Sequence, residues 1–450
     1  MRRMIQSLLV LGGLALIMAG PIENLKPGEW YEVPNSKLDA VKPNPLPPGS
    51  FSGLIAAWNS GAYDSKRDRF LVWGGGHCDY AGNEIYAFDV NTLTWSRIWG
   101  PTPNQYIRAC DISYQTYLNG DPSARHIYDG LEYIPDPVDA MMIVGGPWWG
   151  SSGGGGTWLF KFGTGTWEQK PNEPDSRNGD EAAYDPSSGH VFQRGSYWIS
   201  EYDPLANTWT KRNGQSPSGN GGWWGQSTGA IDSKRHKMVF ACASVWAIYD
   251  INSNQITWPA TTGDNSILNT TVPGLDYDPV SDKMVAWNGG TDVYTFDIDS
   301  LKWKLHPPAA TNTVVPPAPA ATGTYGRFRY IPTKNAFICV SDVMQNVFVY
   351  KLTPGSGTKA EKADSRKGAT LSIYPNPAVN GATIQIKTGR GAEAAQVMVY
   401  NLKGQKVAEL APLPKAGSAT WTPTGFASGV YLVEYHVSGL ILKQRVCLYK

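Results

Sequence analysis

The 450-residue sequence predicts an all-β protein in two parts, a large domain of repeated strand units over residues 21–352 and a small β-sandwich over residues 371–450. Three observations predict it. A unit consisting of a turn and then an apolar strand recurs six times. Each unit except the last is followed by an aromatic strand, a short turn and a tryptophan. A polar stretch of small and charged residues, 353–370, then separates the repeats from a final run of alternating strands. The 49 glycines, 18 tryptophans and 23 tyrosines suit short strands, tight turns and aromatic packing.

The repeated units read YDSKRDRFLVWGGG from Tyr63, YIPDPVDAMMIVGG from Tyr133, YDPSSGHVFQRG from Tyr184, IDSKRHKMVFACAS from Ile231, YDPVSDKMVAWNGG from Tyr277 and YIPTKNAFICVSD from Tyr330, with starts 46 to 70 residues apart. The strands that follow read AFDVNTLTW, LFKFGTGTW, EYDPLANTW, IYDINSNQITW and TFDIDSLKW. In period, diglycines and spaced aromatic residues this resembles the kelch repeat. The resemblance implies that each unit is one four-stranded blade of a β-propeller, with six blades and seven as the alternative count. The units from Ile231 and Tyr330 lack the diglycine. The sixth unit has no tryptophan strand after it, and GEWYEVP, Gly28 to Pro34, offers the missing piece. Trp30 is therefore expected on the outer strand of the last blade, which ties the chain ends together and covers a sheet edge.

Loop lengths then predict where chemistry sits. In an up-and-down blade the 1–2 and 3–4 turns share one face, and here they are short: DSKRDR, DPSSGH, VNTL, PLAN. The 2–3 loops and the connections between blades share the other face and carry the long segments, including GGGHCDYAGNE and GGPWWGSSGGGG. Long loops on a rigid scaffold carry function. Residues entering the first strands line an axial funnel on that face, and its mouth is the expected site. The catalytic candidates are His77, His126, Tyr128 and Arg125. Tyr80, Asn83, Glu84, Arg177, Asn178, Tyr325 and Arg327 are expected to contact substrate. Trp148, Trp149, Trp223 and Trp224 fall outside the repeat register and suit flat sugar rings. His190, His236, His306 and His436 are expected in solvated roles.

The HCDYAGNE spacing matches no zinc pattern and supplies few serial oxygen ligands for calcium. No cofactor or catalytic metal is expected, and a structural calcium or other divalent ion stays open. Net charge is +1 with 17% charged residues, which offers no basic field for nucleic acid. Arg2 and Arg3 precede an apolar run from Ile5 to Met18, which reads as a signal peptide over residues 1–20. Of the five cysteines, Cys242 and Cys339 lie in apolar strands, whereas Cys78 and Cys110 lie in loops and are the candidates for a bridge.

The C-terminal segment opens LSIYPNPAVNGATIQI, continues VMVYNLKGQKVAEL and ends GVYLVEYHVSGLILKQRVCLYK. This resembles the C-terminal sorting domain of Bacteroidetes type IX secretion cargo. The resemblance implies export through the periplasm and across the outer membrane, a secreted or cell-surface location, and the secretion machinery as a partner.

Two classes of function are expected at the mouth. One is an enzyme acting on an extracellular polysaccharide as a monomer. β-Elimination on a uronate-containing glycan needs a neutralised carboxylate, a base for the α-proton and an acid for the leaving oxygen, which His, Tyr and Arg supply. His126 or Tyr128 is the expected base or acid, and His77 with Arg125 the expected carboxylate holders. Hydrolysis would instead require a carboxylate pair, for which Glu84, Asp180 and Glu181 are available. The other class is a non-catalytic glycan- or protein-binding module.

Overall fold

The computed structural model describes residues 20–76, 78–108, 115–146, 156–175, 181–195, 198–213, 226–242 and 245–355, and in the C-terminal segment 371–374, 378–379, 384–388, 395–401, 405–413, 418–437 and 440–449. The chain is all-β apart from a few single-turn helices, and it divides into two compact units, Met1–Thr358 and Lys359–Lys450.

Among the described residues the first unit contains six mainly antiparallel sheets, five of them built from consecutive strands. The first sheet runs Gly61–Asp64, Arg69–Trp73, Ile85–Asp89, Thr94–Trp99. The second runs Leu131–Ile134, Ala140–Ile143, Thr157–Lys161, Thr166–Lys170. The third is Glu181–Asp185, His190–Arg194, Ile199–Asp203, Thr208–Lys211, and the fourth is Thr228–Asp232, Lys237–Cys242, Val245–Asp250, Gln255–Thr257. The fifth is Gly274–Asp278, Lys283–Trp287, Val293–Asp297, Lys302–His306, with Thr262–Gly263 added in parallel at its outer edge. The sixth takes Phe328–Ile331, Ala336–Cys339 and Phe348–Tyr350 from the chain's later part. Its outer strand, Trp30–Glu32, comes from the N-terminal side, pairing Trp30 with Tyr350 and Glu32 with Phe348.

The first strand of each sheet packs against the first strand of the next, and that of the sixth packs against that of the first. These strands are almost wholly buried, although they carry charged residues such as Glu132, Glu181 and Arg329 among their apolar and small ones.

Recurrent turn chemistry sets their ends. Asp64 Oδ1 accepts the amides of Lys66 and Arg67, each at 3.2 Å, and Asp232 Oδ1 those of Lys234 and Arg235, each at 3.0 Å. The tyrosine just before such an aspartate reaches over its own turn: Tyr63 donates to Asp68 at 3.1 Å and Tyr277 to Asp282 at 2.7 Å. Both acceptors have left-handed backbone, φ 51° and 57°, where Asp and Asn are tolerated.

Tryptophans fill the spaces between sheets. Trp246 of the fourth sheet meets Trp303 of the fifth at 4.5 Å between ring centroids, and Trp73 of the first meets Trp167 of the second at 5.8 Å.

The described residues of the second unit form two sheets. One contains Leu371–Tyr374, Ile384–Thr388 and Ser418–Trp421; the other contains Ala378–Val379, Leu440–Tyr449, Gly429–Val437, Ala395–Asn401 and Lys406–Leu413. Val397 and Val399, Tyr431 and Val433, and Val446 and Leu448 alternate along their strands and are buried, the period-two pattern of one inward face.

Trp30 is buried against Trp287 and Tyr350, and its indole N–H donates to the Thr291 carbonyl at 3.0 Å. Trp30→Ala is expected to cost about 3–5 kcal/mol in chemical unfolding of the first unit. An unchanged midpoint would show that the sixth sheet holds without its outer strand.

Candidate functional site

The chain enters three first strands through the same awkward step. Trp58, Tyr128 and Tyr325 each stand three residues before a first strand, with φ of 52°, 50° and 51°. Bulky side chains rarely occupy this region, and each such residue costs roughly 1–3 kcal/mol that its surroundings must offset. The three gather with Val272 in one cluster, Tyr128 meeting Tyr325 edge-on at 6.2 Å. The Tyr128 amide donates to the Trp58 carbonyl at 2.8 Å, which holds two of the three together.

His126 sits over this cluster, 4.8 Å from the Trp58 ring and 6.3 Å from that of Tyr128. Its Nε2 lies 2.8 Å from Asp79 Oδ2, and Asp79 is exposed at 44%. An ionised carboxylate only accepts hydrogen bonds, so Nε2 carries the proton and the ring orientation is set by Asp79. The glycine run before His77 explains how the partners meet. Gly76 has φ 76°, and a Cβ there would lie 2.5 Å from His126 Nε2 and 2.7 Å from Asp79 Oδ2. Only glycine leaves room for the pair.

The other expected residues separate into two groups. Arg125 is buried, its Nε donating to the Gly145 carbonyl at 3.1 Å and its Nη2 to that of Gly156 at 3.2 Å. Arg327 is fully buried and donates to the Asn59, Val340 and Gly323 carbonyls. Burial pushes both guanidinium groups down to about 10. These arginines brace backbone. Tyr80, Asn83 and Glu84 are also wholly buried. Tyr80 donates to Glu84 at 2.7 Å, Asn83 donates to Thr102 Oγ1 and the Pro122 carbonyl, and burial raises the Glu84 carboxyl. They tie the loop after the first sheet's second strand to the connection that follows. Of the carboxylates considered for hydrolysis, Glu84 is thus enclosed, and Glu181 is paired with Arg194 at 2.6 Å inside the fold. His77, Trp148, Trp149, Arg177, Asn178, Asp180, Trp223, Trp224 and Cys110 lie outside the described residues. Cys78 is disulfide-bonded, and Cys339 is a buried free thiol.

The remaining histidines pair with neighbours more than the sequence suggested. His190 Nδ1 meets Glu201 at 2.6 Å, and half-buried His306 meets Thr295 Oγ1 at 2.9 Å, burial pulling its pKa down.

Beneath the aromatic cluster lies a residue that sequence reasoning missed. Asp129 is fully buried, and its Oδ1 accepts from Ser60 Oγ at 2.8 Å. Its Oδ2 accepts from Thr228 Oγ1 at 2.6 Å and from the Gly229 amide at 3.0 Å. Its carbonyl accepts the Ala182 amide at 2.9 Å, and Arg329 Nη2 stands 3.7 Å from Oδ1. One residue therefore connects five of the six sheets, the third through its backbone carbonyl and the others through its carboxylate. The pairing of Asp79 with His126 was missed as well, because only the fold brings the two together.

Residues 372–447 match the family described as the secretion system C-terminal sorting domain. This chain carries a type IX sorting domain. It is exported by that route and is secreted or held at the cell surface, and the domain engages the secretion machinery. Among solved structures the chain is similar to PorZ, described as an essential bacterial surface component of the type-IX secretion system of Porphyromonas gingivalis, at 12% identity and a TM-score of 0.39. The match covers 87% of this chain and 51% of PorZ, so the chain spans about half that protein's length. No curated protein matches the chain.

Asp129→Ala strands the donors of Ser60, Thr228 and Gly229 and removes one of the carboxyl groups around Arg329. It is expected to cost about 3–5 kcal/mol in urea unfolding; a loss under about 1 kcal/mol would contradict the role assigned to it. Glu132, next along the axis, is raised to about 8 from 4.5, because burial and the charges of Asp129 and Asp276 outweigh Arg329. Its neutral form is favoured by folding, so its stabilising contribution is present below the unfolded value and is lost as pH rises through about 8. Thermal unfolding from pH 5 to 9 is expected to show this decline, and Glu132→Gln is expected to flatten it.

Proposed function

We propose that the six sheets are the blades of a kelch-type propeller and that the exported chain acts on an extracellular polysaccharide at the mouth around His126, cleaving a uronate-containing glycan by β-elimination. The blade reading is supported by the order in which first strands pack, returning from the sixth sheet to the first. It is supported further by the N-terminal strand that completes the sixth sheet.

The observation that carries the catalytic reading is the His126–Asp79 pair, held at 2.8 Å beside the ring of Tyr128. Asp79 fixes the proton on Nε2, which makes Nδ1 the basic nitrogen of the ring, and the adjacent carboxylate stabilises the imidazolium that forms once a proton is taken. His126 removes the proton α to the uronate carboxylate, and the phenol of Tyr128 protonates the departing glycosidic oxygen. Electrons from the C–H bond form the new double bond as the C–O bond breaks. Because Arg125 and Arg327 are committed to backbone carbonyls, neutralising the substrate carboxylate falls to His77 and Arg177. Trp148, Trp149, Trp223 and Trp224 supply sugar-stacking surface.

The same commitment of the arginines favours a second reading, non-catalytic glycan binding at this mouth. The two separate in one experiment. The mature chain is incubated with a panel of uronate polysaccharides while the ultraviolet absorbance of unsaturated uronate is followed. The lyase reading expects a rise that His126→Ala and Tyr128→Phe each reduce by roughly 10²–10⁴-fold. Saturable glycan binding with no product, unchanged in both variants, would replace it with the binding reading. New reducing ends without the absorbance change would point to hydrolysis.

A further inference from the structure

A cavity of about 290 Å³ lies at the other ends of the first strands, away from His126, and every one of the six sheets contributes to its wall. Five tyrosines at equivalent repeat positions, Tyr63, Tyr133, Tyr184, Tyr277 and Tyr330, line it together with Ile231. Its floor holds Glu132, Asp276 and Arg329. The rim residues Ser65, Pro186 and Pro279 are exposed, whereas Glu132 and Arg329 are buried, so the cavity opens between the short turns. The turns on this face are short, and the long loops that directed the sequence analysis lie on the opposite one.

We propose that this cavity is a second binding site, for a small organic cation carrying an ammonium or guanidinium group on a short carbon stem. Three features of the walls and floor select that chemistry. First, four of the five tyrosine hydroxyls are turned to the outer turns. Tyr63 donates to Asp68, Tyr133 to Asp139, Tyr277 to Asp282 and Tyr330 to Asn335, at 2.7 to 3.1 Å. What these residues present inward is ring surface, which attracts cations and apolar stems more than polyhydroxylated ligands.

Second, the single guanidinium on the floor is already engaged. Arg329 Nε donates to the Gly61 carbonyl at 3.1 Å and Nη2 to Glu132 Oε1 at 2.9 Å, with Asp129 behind it at 3.7 Å. Three carboxyl groups, Glu132, Asp276 and Asp129, thus surround one cation, and the balance at the floor disfavours an anion. Third, Asp276 is fixed for recognition: its Oδ2 accepts the Tyr330 amide at 2.7 Å and its Oδ1 the Tyr277 amide at 2.8 Å. Each carboxylate oxygen keeps a further lone pair for a ligand donor.

The site is independent of the mouth around His126, and its test does not depend on catalysis. The exported chain with its sorting domain is titrated by calorimetry with n-butylguanidinium and n-butylammonium, and with butyrate and n-butanol as anionic and neutral probes of matching size. Saturable binding of the two cations alone is expected. Ser233→Trp, which places an indole at the rim, is expected to abolish it, with Ser65→Trp as the replacement should the first variant fail to unfold cooperatively like the parent. At pH 9, where Glu132 is ionised, Glu132→Gln is expected to weaken it about tenfold through loss of one carboxylate near the cation. The His126→Ala variant is expected to bind both cations as the parent does. Equal binding of butyrate or butanol, binding that survives both rim substitutions, or no saturable binding of either cation would overturn the proposal.

Discussion

A single buried carboxylate organises the first unit. Asp129 is reached by Ser60 of the first sheet's approach, by Ala182 of the third, by Thr228 and Gly229 of the fourth and by Arg329 of the sixth, while belonging itself to the second. A carboxylate out of water is tolerated only when its oxygens are fully hydrogen-bonded and its charge is met. Here that demand can be satisfied in one relative placement of the sheets, because the donors come from different sheets. Hydrophobic contact between neighbouring sheets is non-directional and tolerates sliding; the Asp129 contacts do not.

The same core fixes the mouth above it. Ser60 both donates to Asp129 and accepts the Gly326 amide at 3.1 Å, and Arg327 locks onto the Asn59 carbonyl at 2.9 Å. Trp58, Tyr128 and Tyr325 are thereby held in left-handed backbone that they would not adopt alone. The rings of Trp58 and Tyr128 form the surface on which His126 rests, and Asp79 completes its orientation from a separate loop. Buried arginines are part of this frame, which is why residues that look like substrate holders in the sequence serve instead as struts.

Much of the architecture was legible because it is written in local, repeated chemistry. The turn, the apolar second strand and the tryptophan of the fourth strand recur in the same order along the chain, and each has a local physical cause. Even the N-terminal strand of the sixth sheet could be placed, since a unit without its tryptophan strand and an orphan strand with one imply each other. The candidate site was legible only in part. His126 and Tyr128 stand out by type and position, but Asp79 is 47 residues from its partner in the chain, and nothing local announces the pairing. Burial is equally silent: Arg125, Arg327, Tyr80, Asn83 and Glu84 carry polar side chains that suggest a surface, and their backbone and loop partners appear only in three dimensions. The turn-side cavity was missed because loop length pointed to the opposite face, although the tyrosines that line it recur at one position of the repeat.

The central claim is that Asp129 makes the sheets one cooperative body, and amide hydrogen exchange tests it most directly. The Gly229 and Ala182 amides both end on Asp129, from two different sheets, and the Gly326 amide ends on its partner Ser60. The account predicts that all three exchange together, at the slow rate set by global unfolding of the first unit. Exchange of any one at the rate of an exposed turn, or at a rate of its own set by opening of a single sheet, would contradict it.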